Sequence, residues 1–283
     1  MRTRKIFATL LALTLVTTPN LAVAQTFDEL IEQGDAAFEA EKYSEAEAIW
    51  RKAIEANPNS APAYVGLGNA LNAQNRSDEA IAAYQKATEI DPEYAYAYYN
   101  LAVTLSSKDQ FSQAEAAYRK VIELGIEYAP VYAGLADALY SQDKLDQAVA
   151  AYRQAIALDS KYVSAYIGLG NALDDLKRSD EAIAIYRQAI QLDPKNPYSY
   201  YNLGLALHRQ EKLSEAITAY RQAIALGFKS APVYTLLGLA LQEQGKLAEA
   251  IDNYQQAIAL DPNNERASEA LKEAQQQLNS RTN

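Results

Sequence analysis

The stretches AYYNLAVTL (97–105) and SYYNLGLAL (199–207) set Asn100 and Asn202 beside paired tyrosines, 102 residues apart. Asn69 and Asn171 precede them, each inside a copy of GLGNAL. An asparagine amide both donates and accepts, so two of them on neighbouring helices can hold the peptide group of an extended ligand bidentately. Tyr96 and Tyr99, and again Tyr198 and Tyr201, flank the asparagines with large apolar area, few rotors and a polar tip. A plainer reading stands beside each. Asparagine on a solvated helix face needs no ligand and costs roughly 0.5 kcal/mol against alanine, and neighbouring tyrosines can simply pack their rings together.

Other residues offer less. There is no cysteine, which removes disulfides, thiolate nucleophiles and sulfur metal sites together. His208 is the only histidine and has no Ser, Cys or acidic partner at a recognisable catalytic spacing, so a surface role is expected. Asp137 and the Asp174-Asp175 pair lack the loop spacing of a calcium site. Gly66/Gly68 and Gly168/Gly170 sit at packing positions inside helices with no strand before them, unlike a phosphate loop. No catalytic residue, cofactor or metal is expected, and the chain is not read as an enzyme. Its 36 acidic residues outnumber 26 basic ones. That balance argues against nucleic acid or anionic membrane as a partner, since both require clustered Lys and Arg.

Residues 1–24 have the pattern of a cleaved export signal: Arg2, Arg4 and Lys5, an apolar run from Ile6 to Val16, then Ala22-Val23-Ala24. The run is shorter than the roughly 20 residues that span a bilayer. Cleavage would leave 23 basic against 36 acidic residues, a formal charge of −13, with no membrane insertion afterwards. The expected location is extracytoplasmic, a periplasm or a thylakoid lumen.

The remaining chain repeats every 34 residues, as 27–60, 61–94, 95–128, 129–162, 163–196, 197–230 and 231–264. The fourth place holds Leu30 and then Tyr64, Tyr98, Tyr132, Tyr166, Tyr200 and Tyr234. The eighth is Gly or Ala throughout, the twentieth always Ala (Ala46 to Ala250), and the twenty-fourth always aromatic: Trp50, then Tyr84 through Tyr254. Small residues let two helices approach closely, and the aromatic fills the space where units meet. Ser44 with Glu47 and Ser112 with Glu115 read as capping boxes. Pro58, Pro92, Pro194 and Pro262 close second helices. Three units hold Ile126, Ser160 and Phe228 instead, two of them behind Gly125 and Gly227, which suit left-handed helix caps. Ala267, Leu271, Ala274 and Leu278 mark a capping helix over 265–279, followed by a loose tail, 280–283. Units two to four and five to seven match as blocks: SDEAI, YYN and APVY each return after 102 residues.

In period, small positions and aromatics the chain resembles the tetratricopeptide repeat family. The resemblance implies an all-α, right-handed solenoid of seven helix-turn-helix repeats, with first helices lining a concave groove. It places Asn69, Asn100, Asn171, Asn202, Tyr96, Tyr99, Tyr198 and Tyr201 on that groove, and the asparagines look like the peptide-gripping pair of some members. Where other members carry a basic carboxylate clamp, this chain has Val65, Pro130 and Gly134, then Ile167, Pro232 and Leu236, so that clamp is not expected. The reading is a non-catalytic scaffold for a protein or extended peptide with basic and apolar residues, bound in two places through the duplication. Two alternatives stay open: a self-associating solenoid, and the repeat part of a glycosyltransferase-like enzyme.

Overall fold

The computed structural model describes residues 26–282, so the expected export signal at 1–24 lies outside the described residues. First helices run as α1 (Phe27–Glu39), α3 (Ala61–Ala73), α5 (Ala95–Ser107), α7 (Ala129–Tyr140), α9 (Val163–Asp175), α11 (Pro197–Arg209) and α13 (Ala231–Glu243). Second helices are α2 (Tyr43–Ala56), α4 (Ser77–Ile90), α6 (Phe111–Glu123), α8 (Leu145–Leu158), α10 (Ser179–Leu192), α12 (Leu213–Ala225) and α14 (Leu247–Leu260). With α15 (Glu265–Thr282) they form an all-α solenoid. Among the described residues no helix is long and apolar enough to cross a membrane.

Steric fit at the small positions holds each layer together. The twentieth-place alanines, from Ala46 to Ala250, are fully buried, and the aromatics that follow them are at most 3% exposed. Where glycine stands at these places, the aromatic lies against the eighth place of its own unit or the sixth place of the next. Trp50 shows both contacts, since a methyl group on Gly34 would fall 2.6 Å, and one on Gly66 2.3 Å, from its ring. Tyr84, Tyr186, Tyr220 and Tyr254 press on Gly68, Gly170, Gly204 and Gly238 in the same way.

The turn inside each unit has a device that the composition hides. The residue fifteen places into the unit has positive φ in all seven: Glu41, Asn75, Asp109, Asp143, Lys177, Glu211 and Gly245. After it, a backbone N–H reaches back to close the first helix, as Lys42 does to Ala37 and Arg76 to Leu71. This is a Schellman closure, which normally uses glycine, and only Gly245 advertises it.

Second helices end through Asn57, Asp91, Asp159, Asp193 and Asp261 in extended backbone. Each side chain accepts from the backbone N–H two residues on. The expected prolines follow four of these residues, and extended backbone is what proline imposes on its predecessor. Asp159 closes α8 identically with Ser160 after it, so the Asx turn suffices. Gly125 and Gly227 adopt φ of 82° and 100°, the left-handed caps expected of them.

Two expectations need correction. Neither capping box forms: Lys42 and Gln110 stand at the N-caps without side-chain capping hydrogen bonds, and Ser44 and Ser112 lie inside their helices. Glu47 and Glu115 point instead to the next unit. Glu47 accepts from Gln74 and Arg76, and Glu115, 4% exposed, from Gln142 and Lys144. A charge-assisted pair across two layers outcompetes a local cap. The second correction is the tail, which continues α15 to Thr282, with Arg281 donating to the carbonyl of Gly245. The buried seam of α15 is Ala267, Ala270 and Ala274, with Leu271 and Leu278 half-buried.

Adjacent first helices touch, α1 with α3, α3 with α5, α5 with α7, α7 with α9 and α9 with α11, whereas second helices do not pack on one another to a comparable extent. A stack whose first helices lie closer than its second helices curves with the first helices inside. The concave wall is therefore built from α1, α3, α5, α7, α9, α11 and α13.

Candidate concave binding site

A tyrosine buried at a layer boundary needs a partner for its hydroxyl, and the concave wall supplies one. Tyr84 donates to the Asn69 side-chain oxygen at 2.8 Å, and Tyr186 to that of Asn171 at 2.7 Å. Tyr152 donates to Asp137 in the same register. Where that register holds Leu205 or Leu239, the partner moves one turn on: Tyr220 meets His208, and Tyr254 donates to Gln242 at 2.7 Å. Burial pushes all five of these hydroxyls well above the usual tyrosine range. Asn69 and Asn171 thus each have a structural duty that residue type alone did not reveal.

That duty uses the amide oxygen only. Asn69 also lines a cavity of about 310 Å³ shared with Asn72, Tyr84, Tyr96, Asn100 and Thr104. Asn100 stands where other units place a glycine beneath the aromatic, as Gly66, Gly134 and Gly168 do. Its amide nitrogen is buried and has no acceptor among the described residues. A buried donor without a partner is uncommon and calls for one. Sequence pairing of Asn69 with Asn100 therefore corresponds to a real juxtaposition on the concave wall.

The tyrosines divide. Tyr96 is 50% and Tyr198 55% exposed. Tyr99 is half-buried, edge-on to Tyr118 with ring centres 6.4 Å apart. Tyr201 packs on Tyr220 and on Phe228. Asn202 is half-buried on α11 at the register of Asn100. Ring packing accounts for Tyr99 and Tyr201, and it leaves Tyr96 and Tyr198 open to solvent.

Charge on the wall is acidic and mostly constrained. Asp35 titrates above the usual carboxylate range because burial and then Glu39 oppose its charge. Asp137 keeps solvent contact, but the surrounding helices desolvate it enough to raise its pKa against the effect of the Tyr152 bond. Asp174, 5% exposed, is held by Ser179 and paired with Arg209. Asp175 accepts from Tyr140, whose hydroxyl is pushed up to about 12, first by burial and then by that bond. His208 departs from expectation, because Glu243, 35 residues on, meets its Nε2 at 3.1 Å. The resulting chain from Tyr220 through His208 to Glu243 starts in the packed core. Among the described residues no group of three or more His, Cys, Asp or Glu side chains could hold a metal ion.

Comparison with known proteins agrees with the geometry. Tetratricopeptide repeat models match residues 31–95 and 133–197, 83–116 and 185–218, and 231–264, and a TPR repeat model matches 207–245. Two of these models match twice at a displacement of 102 residues, the same offset as the internal duplication. Comparison with curated proteins returns no match. Among solved structures, the chain is similar to YrrB, described as a TPR protein with an unusual peptide-binding site (26% identity, 69% of this chain and 97% of that one, TM-score 0.58). It is also similar to MamA (28%, 58% and 95%, 0.55). A tetratricopeptide repeat protein from Parabacteroides merdae shares the fold over 88% of this chain and 98% of its own (19%, 0.66).

Proposed function

This chain belongs to the tetratricopeptide repeat family, and we propose that it is a non-catalytic scaffold that holds an extended segment of a partner protein on its concave wall. One observation carries the reading: Asn69, Asn100 and Tyr96 share a cavity on the inner face, and the buried Asn100 amide nitrogen has no acceptor among the described residues. A backbone carbonyl of an extended ligand is the natural acceptor, because such a chain presents one at regular intervals whatever its side chains. YrrB lends weight as a similar protein with a peptide-binding site. The acidic balance favours a ligand with basic residues.

The export pattern at the N-terminus supports a location outside the cytoplasm, with a role in complex assembly in a periplasm or comparable lumen. Fractionation tests that location, and recovery of the full-length chain from the cytoplasm alone would refute it. The binding claim is tested by capturing partners on the wild type and on Asn100→Ala/Asn202→Ala. Neither side chain ties down a core group as Asn69 ties down Tyr84, so folding should survive. Partners retained at undiminished strength would remove the asparagines from the account.

A further inference from the structure

The two blocks look like duplicate sites in sequence, yet the structure closes one and leaves the other open. In the first block Tyr96, Tyr99, Ile126 and Tyr128 border an almost wholly apolar pocket of about 230 Å³, floored by Val121 and Val131. Ile126 is 43% and Tyr128 56% exposed. Tyr96 lines this pocket and the Asn69/Asn100 cavity alike, so the two adjoin. The counterpart of Ile126 in the second block is Phe228. Its ring meets Tyr201 at 4.9 Å and Tyr198 at 5.1 Å between centres, filling the corresponding place.

The neighbouring amide site diverges in the same sense. Around Asn171, Tyr140 donates to Asp175 and Arg209 pairs with Asp174. One hundred and two residues earlier stand Phe38, in the first unit, and Ala73, Ser107 and Asn72. There Asn72 accepts from Ser77 and Ser107 donates to the Thr104 carbonyl, so neither spans the site. In the second block Phe228 thus takes the place of the side-chain pocket, and side-chain links cross beside the amide site; the first block has neither.

We propose that only the first block reads ligand sequence, by taking one large apolar side chain of an extended, basic partner segment into the pocket between Tyr96 and Ile126. This deepens the concave-wall reading and rests on it. The pocket admits one side chain, whereas a docked helix, about 10 Å across, requires a wider trough. Acidic groups lie in the pocket's neighbourhood: Asp35 acts on Tyr94, whose ring is 6.3 Å from that of Tyr96, and Asp137 acts on Tyr162, itself within electrostatic reach of Tyr99 and Tyr128. A basic residue near the apolar anchor is complementary to those groups.

The test uses the full-length chain and blocked five-residue peptides, Ser-Lys-X-Lys-Ser with X as Ala, Leu or Phe, titrated by calorimetry. The expected result is one site, with Leu and Phe binding about tenfold tighter than Ala, as burial of a few methylene groups implies. Ile126→Phe, which copies the second block at an exposed position, should reduce Leu and Phe to the Ala level and leave Ala unchanged. Phe228→Ile/Arg209→Ser should raise the stoichiometry toward two. Affinity independent of X, an inert Ile126→Phe, or two equal wild-type sites would each overturn the proposal. Asn100→Ala separates the two readings. Loss of all three peptides without any X preference keeps the amide site and rejects the pocket. An X preference that survives Asn100→Ala keeps the pocket and rejects the amide grip. No binding at millimolar peptide rejects both.

Discussion

The Tyr84 hydroxyl donates to the Asn69 side-chain oxygen at 2.8 Å, tying a core aromatic to the concave surface. Asn69 and Asn100 look alike in sequence, yet their removal should have opposite costs. Asn69→Ala leaves the hydroxyl of Tyr84, 2% exposed, without this partner, a loss of about 1–3 kcal/mol. Asn100→Ala removes an unpartnered donor and gains helix propensity, so stability should stay within about 0.5 kcal/mol of wild type. Urea unfolding of the two variants decides the matter, and equal destabilisation would contradict it.

Asp137 occupies the register of Asn69 and Asn171 and bonds to Tyr152 as they bond to their tyrosines. Its raised pKa means that the folded state holds the proton at pH values where the unfolded chain has lost it. Stability therefore falls as pH rises through that window. Asp137→Asn keeps an acceptor for Tyr152 without the charge. It should stabilise at neutral pH by less than about 1 kcal/mol, because the group is solvent-accessible. The gain should vanish once acid protonates Asp137. Melting temperatures across pH 3–8 provide the check, and a gain that persists in acid would contradict it.

Glu115 behaves in the opposite sense. Burial works against its charge, but hydrogen bonds from Lys144 and Gln142 and the charge of Arg119 outweigh it and lower the pKa. The stabilisation is complete above the usual glutamate range and is lost as pH falls through the lowered pKa. Lys144→Met should cost about 1–3 kcal/mol at neutral pH, less than for a wholly buried pair because Lys144 is partly exposed. That deficit should shrink in acid. Parallel denaturant titrations at neutral and acid pH test this, and a pH-independent deficit would point to lost packing instead.

Two glycines separate packing from backbone freedom. A methyl group at Gly66 would meet the Trp50 ring at 2.3 Å, whereas one at Gly125 meets nothing within 4 Å but must adopt φ of 82°. Gly66→Ala should cost about 1–3 kcal/mol by overpacking, and Gly125→Ala about 1 kcal/mol by backbone strain alone. Near-ultraviolet circular dichroism of Trp50, the only tryptophan, should change in the first variant and not in the second.

Where periodicity expresses steric fit, the sequence was readable: alanines and aromatics recurring at 34 residues could only be a packed seam, and the structure has it. Ser44 and Glu47 misled because a capping box is a local pattern, whereas the partners of Glu47 lie about thirty residues away on the next layer. The positive-φ turns escaped because Glu41, Asp109 and Lys177 carry no sign of left-handed backbone. Asn69 and Asn100 were legible as a pair on one wall, but the hold of Tyr84 on one of them was not. The closure of the second block was hidden for a related reason: Phe228 reads as a missing proline until its contacts with Tyr198 and Tyr201 are seen.

The most direct measurement places a photoreactive phenylalanine analogue at Tyr96 on the inner wall, and in a second protein at Gln85 on an exposed face of α4. In-cell crosslinking followed by mass spectrometry then compares them. The account predicts partner adducts from position 96, few from position 85, and loss of the former when Asn100→Ala is added. Equal adducts from both positions, or adducts at 96 indifferent to Asn100, would contradict it.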